Sequence, residues 1–225
     1  MIASLAIIGG LGHVGLPLGL AFAEAGYRVA LIDSDREKLR TVRQGKMPFL
    51  ELGAEYLLRR NLAERLSILD ATDAISGGAV READATIFTL GTGLDEYGNP
   101  RLDAVLGKLG AFREHLTGKL CILRSTVFPG TTQRAAAILG RQVDVAFCPE
   151  RILQGHAIDE LQTLPHIVSG VTKGAEDRAA SLFEKLGTGG VERGSVEAAE
   201  VAKVMLNTKR YVDFALPNEF FRIAT

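Results

Sequence analysis

The stretch GGLGHVG, residues 9–15, decides the fold because it separates a short apolar run from a helical one. Its glycines follow the spacing G-x-G-x-x-G at Gly10, Gly12 and Gly15. A second apolar run ends at Asp33, about 20 residues beyond the second glycine, as the motif requires. A strand, a glycine turn, a helix and a second strand that ends in an acid are the fingerprint of a dinucleotide-binding unit. The sequence therefore predicts a Rossmann-type βαβ unit at its start.

Each position of this fingerprint has a physical reason. Gly10 permits the tight turn, Gly12 lets a pyrophosphate approach the backbone, and Gly15 lets the helix pack closely on the strand. The helix N-terminus adds amide donors and the positive end of its dipole. A doubly wound domain with a glycine-rich turn that binds no nucleotide remains the alternative.

The acid at the end of the second strand bears on the choice of cofactor. The carboxylate of Asp33 can accept hydrogen bonds from both ribose hydroxyls and would repel a 2′-phosphate, which favours NAD over NADP. Two nearby cations, Arg36 and Lys38, weaken that preference. NAD is the cofactor that the sequence predicts.

The rest of the chain alternates short apolar runs with longer amphipathic ones. Nearly continuous apolar character is typical of strands that are covered on both faces. Strand–helix alternation predicts an α/β fold with a doubly wound, mostly parallel sheet. We expect a domain over residues 1–194, and a long terminal helix over 195–225 with Ser195 as its N-cap. The expected strands are IASLAII, YRVALID, LSIL, ATIFTL, KLCILRS, VDVAFC and HIVSGV.

Composition narrows the function. The chain has 225 residues, 47% hydrophobic, with 26 Lys and Arg against 27 Asp and Glu. Such a balance gives no electrostatic reason to expect nucleic acid or an anionic membrane as a partner. The opening run lacks a basic region, no stretch reaches the length of a membrane span, and two cysteines make no disulfide framework. We therefore expect a cytoplasmic protein, and no bound metal.

Three loops follow expected strands: TLGTGLDEYGNP, RSTVFPGT and CPERILQGHA. Open α/β sheets bind ligands at the carboxyl ends of their strands. The loops offer the hydroxyls of Thr92, Ser125 and Thr126, although a single such residue is more often a turn or a cap. Glu150 and Arg151 follow the third strand, where a structural ion pair between them is the alternative to a functional role.

The last segment, EAAEVAKVMLNTKRYVDFALPNEFFRIAT, is predicted to form one helix. Lys203, Asn207 and Arg210 recur at helical spacing and share one face. A cation and an amide one turn apart would suit an oxyanion clamp, whereas a solvated polar stripe is the alternative. Pro217 removes an amide donor, so we expect a kink or the helix end there.

Taken together, these pieces resemble the UDP-glucose/GDP-mannose dehydrogenase family. The matching motifs are GLGHVG with Asp33, RSTVFPGT, FCPERILQGHAIDEL and the AAEVAKVMLNTKRYVDFALPNE helix, in the family's order and across nearly the whole chain. The form CPERI, with Gly155 four residues beyond Arg151, is most similar to the branch that oxidises UDP-N-acetylmannosamine.

The resemblance implies a reaction: the C6 alcohol of a nucleotide sugar is oxidised to a carboxylate at the expense of two NAD+. An aldehyde forms first, a cysteine thiolate captures it, and water releases the uronate from a thioester. The catalytic residues carried over are Glu150, Lys203 and Asn207. The residues carried over to a UDP-sugar are Arg151, Ile152 and Arg210. The residues carried over to NAD are Gly10, Gly12, His13, Val14, Gly15, Asp33, Lys38, Thr92 and Thr126.

The family's nucleophilic cysteine belongs to a glycine-rich segment beyond this helix, and these 225 residues contain no such segment. Cys121 falls inside an expected strand, and Cys148 does not occupy the nucleophile's place. We therefore expect an N-terminal half that binds NAD but is inactive alone, within a full-length protein that is a homodimer or a larger oligomer.

Two other functions remain open. A 3-hydroxyacid dehydrogenase also joins a dinucleotide domain to a long helix with a catalytic Lys and Asn, but it lacks the Pro-Glu-Arg loop. A non-catalytic NAD-binding module would need no second half. A reading frame that continues beyond Thr225 into a glycine-rich segment with a cysteine would favour the enzyme.

Overall fold

The computed structural model describes residues 2–93, 96 and 101–224. Strands and helices alternate along this part of the chain, as predicted. The strands are β1 Ser4–Ile8, β2 Arg28–Asp33, β3 Leu66–Asp70, β4 Ala85–Phe88, β5 Leu120–Leu123, β6 Asp144–Phe147, β7 His166–Gly170 and β8 Val191–Arg193. The helices are α1 Gly15–Glu24, α2 Arg36–Arg43, α3 Ala54–Leu62, α4 Ala74–Glu82, α5 Leu102–Ala111, α6 Thr131–Leu139, α7 Ala157–Thr163, α8 Lys173–Phe183 and α9 Val196–Ala224.

The strands form one sheet in the order β3-β2-β1-β4-β5-β6-β7-β8. All neighbouring pairs are parallel except β6 and β7, which are antiparallel. The α/β fold with a doubly wound, mostly parallel sheet is therefore confirmed. The order reverses at β1, which pairs with β2 on one side and β4 on the other. A ligand crevice is expected at the carboxyl ends of the strands beside this reversal.

Both faces of the sheet are covered by apolar packing. In β1, Leu5 and Ile7 belong to one buried cluster, whereas Ala6 and Ile8 belong to another on the opposite face. Alternate residues of a strand point to opposite faces, so a strand buried on both sides must be apolar throughout. This explains why the strand runs were recognisable from the sequence.

One buried hydroxyl in this core lacks a partner within the described part of the chain. Thr86 of β4 is fully buried, and its Oγ1 makes no hydrogen bond there. Because an unpaired buried polar group is costly, Thr86→Val should raise the free energy of unfolding by about 1 kcal/mol. Urea denaturation measures this change.

A matched control is Ser169, which is equally buried but donates its hydroxyl to the Phe147 carbonyl at 3.0 Å. Ser169→Ala should lower stability by about 1 kcal/mol, because it removes this buried hydrogen bond. A loss of stability in both variants would contradict our account of Thr86.

The long C-terminal helix is present as predicted. It begins after Ser195, whose Oγ accepts a hydrogen bond from the Ala198 amide at 3.1 Å, so the expected N-cap is confirmed. The helix continues through Pro217 to Ala224 instead of ending at the proline. Among the described helices, none is long and apolar enough to cross a membrane.

The burial of α9 is uneven along its length. Its first turns pack on the sheet domain through Val196, Ala199, Glu200 and Lys203. The later turns expose large apolar side chains, among them Met205, Tyr211, Phe214, Phe220 and Ile223. The start of the helix is therefore packed on the domain, whereas its later turns are mostly exposed.

Candidate functional site

The glycines of the turn differ in what they allow. A Cβ on Gly10 would lie 2.8 Å from the Ile7 carbonyl oxygen, and one on Gly15 would lie 2.5 Å from that of Gly9. A Cβ on Gly12 would meet nothing closer than 3.5 Å, an ordinary contact. Packing within the protein thus requires glycine at the first and third positions but not at the second. The open backbone at the second position suits the approach of a phosphate.

Asp33 closes the turn at the end of β2. Its Oδ2 accepts a hydrogen bond from the Leu11 amide at 3.0 Å, and its Oδ1 accepts one from the Asp35 amide at 3.1 Å. Both bonds orient the carboxylate beside the glycine turn. Lys38 lies in α2 and pairs with Asp35, Nζ to Oδ2, at 3.4 Å.

Two further side chains surround the turn. The His13 ring is exposed and packs against Phe49, with 4.0 Å between ring centroids. The hydroxyl of Thr89 donates to the carbonyl oxygens of Ile8 and Gly9, each at 3.0 Å. Thr89, which sequence reasoning missed, thereby ties the end of β4 to the turn.

A cleft of about 410 Å³ opens at the carboxyl ends of the central strands. Larger cavities of about 980 and 620 Å³ lie elsewhere and contain none of the predicted site residues. Chemistry, and not size, therefore identifies the candidate site. The cleft brings together His13, Val14, Thr92, Thr126, Glu150, Ile152, Lys203 and Arg210 from the predicted set. Gly10, Gly12, Gly15, Asp33, Lys38, Arg151 and Asn207 do not line it.

A buried ion pair forms one wall of the cleft. Arg124 and Glu150 are 3% and 6% exposed, and the Nε of the arginine donates to Glu150 Oε2 at 2.7 Å. A second nitrogen of the guanidinium, Nη2, also contacts Oε2. Arg124 further donates to the Cys148 carbonyl at 3.1 Å and lies 5.0 Å from the Phe183 ring centroid. Sequence reasoning missed this arginine, although a guanidinium at the end of an apolar strand is itself a signal of a buried partner.

The other oxygen of the Glu150 carboxylate binds backbone. Its Oε1 accepts from the amides of Arg151 at 2.7 Å and Ile152 at 3.0 Å. The ion pair of Glu150 is therefore with Arg124 and not with the adjacent Arg151, whose guanidinium donates to the Pro165 carbonyl. Both oxygens of the carboxylate are held in place.

Lys203 enters the cleft from α9 and is 9% exposed. Burial lowers the pKa of its ammonium, the charge of Glu150 raises that pKa, and Arg210, Arg124 and Arg151 lower it. The Arg210 guanidinium also donates to the Arg151 carbonyl at 2.9 Å, which joins the helix to the Pro-Glu-Arg loop. The lysine therefore lies in a partly desolvated site with a carboxylate among several cations.

Of the three predicted catalytic residues, Asn207 is the one that lies outside this cluster. It lies one turn beyond Lys203 and is exposed to solvent. Within the described residues, no group of three or more His, Cys, Asp or Glu side chains could hold a metal ion.

Both cysteines are fully buried and unpaired. Burial raises the pKa of the Cys148 thiol to about 12 and raises that of Cys121 as well. Nucleophilic cysteines react as thiolates in accessible, electropositive sites. Neither thiol has this character at neutral pH.

Comparison with known proteins identifies the same family that the sequence motifs resemble. The model of the UDP-glucose/GDP-mannose dehydrogenase family, NAD binding domain, matches residues 3–187. A UDP-N-acetyl-D-mannosamine dehydrogenase of Methanococcus aeolicus is 31% identical over 96% of this chain and 50% of its own length. The chain spans about half the length of the curated relatives it matches.

Solved structures of dehydrogenases have a similar fold. The structure of UDP-D-ManNAc dehydrogenase from Pyrococcus horikoshii has a TM-score of 0.88 and 29% identity, over 98% of this chain and 54% of that one. A GDP-mannose dehydrogenase from Pseudomonas aeruginosa, with a TM-score of 0.85 and 24% identity over 96% of this chain and 51% of that one, shares the fold. The chain belongs to the UDP-glucose/GDP-mannose dehydrogenase family and contains that family's NAD-binding domain.

Proposed function

We propose that this chain is the cofactor-binding half of a dehydrogenase that oxidises the C6 alcohol of a UDP-sugar to the uronate. UDP-N-acetylmannosamine is the proposed substrate, because the relatives from Methanococcus aeolicus and Pyrococcus horikoshii carry that name. The observation that carries the proposal is the cleft itself. It joins the residues beside the glycine turn to Lys203, Glu150 and Arg210 at the carboxyl edge of the sheet.

The residues of the glycine turn fit NAD. The backbone at Gly12 is open, the N-terminus of α1 offers amide donors, and Asp33 presents an oriented carboxylate for a ribose. Val14, Thr92 and Thr126 extend the same contact surface into the cleft. When bound, NAD+ accepts a hydride from the carbon being oxidised. His13 and Lys38 are proposed to contribute at the edge of this site.

The charged groups of the cleft supply the remaining chemistry. A lysine ammonium in a desolvated site stabilises the oxyanion that develops on an alcohol or aldehyde oxygen. We propose this role for Lys203, which is buried and lines the cleft. We propose that Glu150 positions a water molecule or exchanges a proton near that oxygen. Asn207 is proposed to assist Lys203, which requires it to turn towards the cleft.

Substrate contacts are assigned to the Pro-Glu-Arg loop and α9. The Arg210 guanidinium donates a hydrogen bond to the Arg151 carbonyl and so links α9 to this loop. A bound nucleotide sugar would therefore affect both elements. Ile152 lines the cleft beside them. We propose that these three residues contact the UDP-sugar.

The proposal also includes the domain organisation of the chain. Residues 1–194 form the NAD-binding domain, and 195–225 begin the helix that connects it to a substrate domain. Because both thiols are buried, we propose that this polypeptide binds NAD but does not complete the oxidation. For the whole protein we propose a cytoplasmic homodimer or a larger oligomer.

An assay of NADH formation tests this function. The whole gene product should reduce NAD+ with UDP-N-acetylmannosamine and not with a 3-hydroxyacid, while residues 1–225 alone should give no NADH with either. Turnover with a 3-hydroxyacid would identify the other dehydrogenase type. A whole product that binds NAD+ without turnover on any UDP-sugar would identify a binding module.

A separate prediction concerns the choice between NAD and NADP. Asp33→Asn removes the charge that repels a 2′-phosphate and weakens the acceptor of the ribose hydroxyls. We expect NAD+ affinity to fall roughly 10-fold and the preference for NAD+ over NADP+ to narrow. Calorimetric titration with both cofactors measures this. An unchanged preference would mean that Asp33 does not face the ribose.

A further inference from the structure

Glu200 is a fully buried carboxylate on α9 to which the proposed reaction assigns no role. Its Oε2 accepts a hydrogen bond from the Gly130 amide at 2.7 Å. Its Oε1 accepts two from Thr132, the amide at 2.8 Å and the hydroxyl at 2.6 Å. These donors surround the N-terminus of α6, where orphan amides and the helix dipole favour an anion. A side chain from a helix about 70 residues later thus caps α6.

This cap joins two parts of the candidate site. The loop that leads into α6 contains Thr126, which lines the cleft. Lys203 lies three residues after Glu200, on the same face of α9, and enters the same cleft. Later turns of the helix are largely exposed, so the buried start of α9 supplies most of its attachment.

The carboxylate of Glu200 faces the N-terminus of α6. The carboxylate is occupied by the donors at α6, and the charges that bear on the lysine ammonium are Glu150, Arg124 and Arg151 from the facing loops and Arg210 from its own helix. We propose that Glu200 is a positioning residue, which holds the first turns of α9 on α6 and thereby keeps the Lys203 ammonium inside the cleft. The inference rests on the proposed role of Lys203 in that cleft.

Amine reactivity at Lys203 provides the test. Residues 1–225 are acetylated over a range of pH, and modification of Lys203 is followed by mass spectrometry. Because burial lowers the pKa of Lys203, the native midpoint should lie below the ordinary lysine value of about 10.4. Glu200→Gln keeps the shape of the side chain but replaces one carboxylate oxygen with an NH2 group. This group cannot accept the hydrogen bonds that the oxygen accepts.

Release of α9 would expose Lys203 to water, so we expect Glu200→Gln to raise the labelling midpoint towards the ordinary lysine value. Loss of a nearby negative charge alone would lower it, so the sign separates positioning from electrostatics. An unchanged or lowered midpoint would overturn the proposal. NAD+ titration of the native chain is independent of this readout, and its failure would count against the proposed function alone.

Control variants separate positioning from general destabilisation. Thr172 caps α8 through the Ala175 amide at 3.1 Å and does not line the cleft. Thr172→Ala should lower the melting temperature and leave the Lys203 midpoint unchanged. If Glu200→Gln does not fold, Thr132→Ala removes one donor from the cap and should raise the midpoint, while Thr132→Ser should restore it. A native midpoint in folded Thr132→Ala would then overturn the proposal.

Discussion

Gly12→Ala is expected to weaken NAD+ binding by roughly 100-fold or more, about 3 kcal/mol, while the domain stays folded. A methyl group at Gly12 would have ordinary contacts within the protein, and the backbone there has no positive φ. Its cost should therefore arise only when a pyrophosphate approaches the same backbone. Titration with NAD+ measures the loss, and urea denaturation should show a stability within about 1 kcal/mol of the native chain.

Two other glycines bracket this result. Gly107 in α5 is exposed and does not line the cleft, so Gly107→Ala should bind NAD+ normally and gain about 0.5–1 kcal/mol of stability. Gly15→Ala should destabilise the fold itself, because its Cβ would lie 2.5 Å from the Gly9 carbonyl oxygen. Native NAD+ affinity in Gly12→Ala would place the pyrophosphate elsewhere.

Arg124→Met should have the largest effect on stability, a loss of about 3–5 kcal/mol. The substitution leaves the Glu150 carboxylate buried at 6% exposure without its cation. Attraction between the partners only offsets their desolvation, so removal of one partner costs far more than the pair contributes. For the same reason Arg124→Met with Glu150→Leu should recover much of the loss. Urea denaturation of both variants measures these changes.

The matched control is an exposed ion pair. Arg134 and Asp103 lie 3.5 Å apart with side chains 61% and 95% exposed. Arg134→Met should therefore cost less than about 1 kcal/mol. A similarly small cost for Arg124→Met would mean that water reaches Glu150 and that the wall of the cleft is not dry.

The strands could be predicted from the sequence wherever apolar residues form a nearly continuous run. Most of the strands are covered on both faces and are apolar at nearly every position, so β1 to β7 were recognised. β8 was not, because Val191–Arg193 has three residues, two of them charged and exposed. The antiparallel pairing of β7 also escaped prediction, since direction is set by the connection and not by composition.

The candidate site was predicted where a local motif defines a position, and missed where the partner is distant. Glu150 was named, but its guanidinium partner is 26 residues away and not next to it. Glu200 lies among apolar residues on the buried face of α9, a signal that could have been noticed. What it caps could not, because Gly130 is 70 residues away in the chain.

The measurement that tests the central claim most directly is calorimetric titration of residues 1–225 with NAD+ and, separately, with NADP+. The open backbone at Gly12 and the oriented carboxylate of Asp33 predict saturable one-to-one binding of NAD+ and weaker binding of NADP+. Absence of NAD+ binding by the folded chain, or tighter binding of NADP+, would contradict the assignment of the glycine turn as an NAD site.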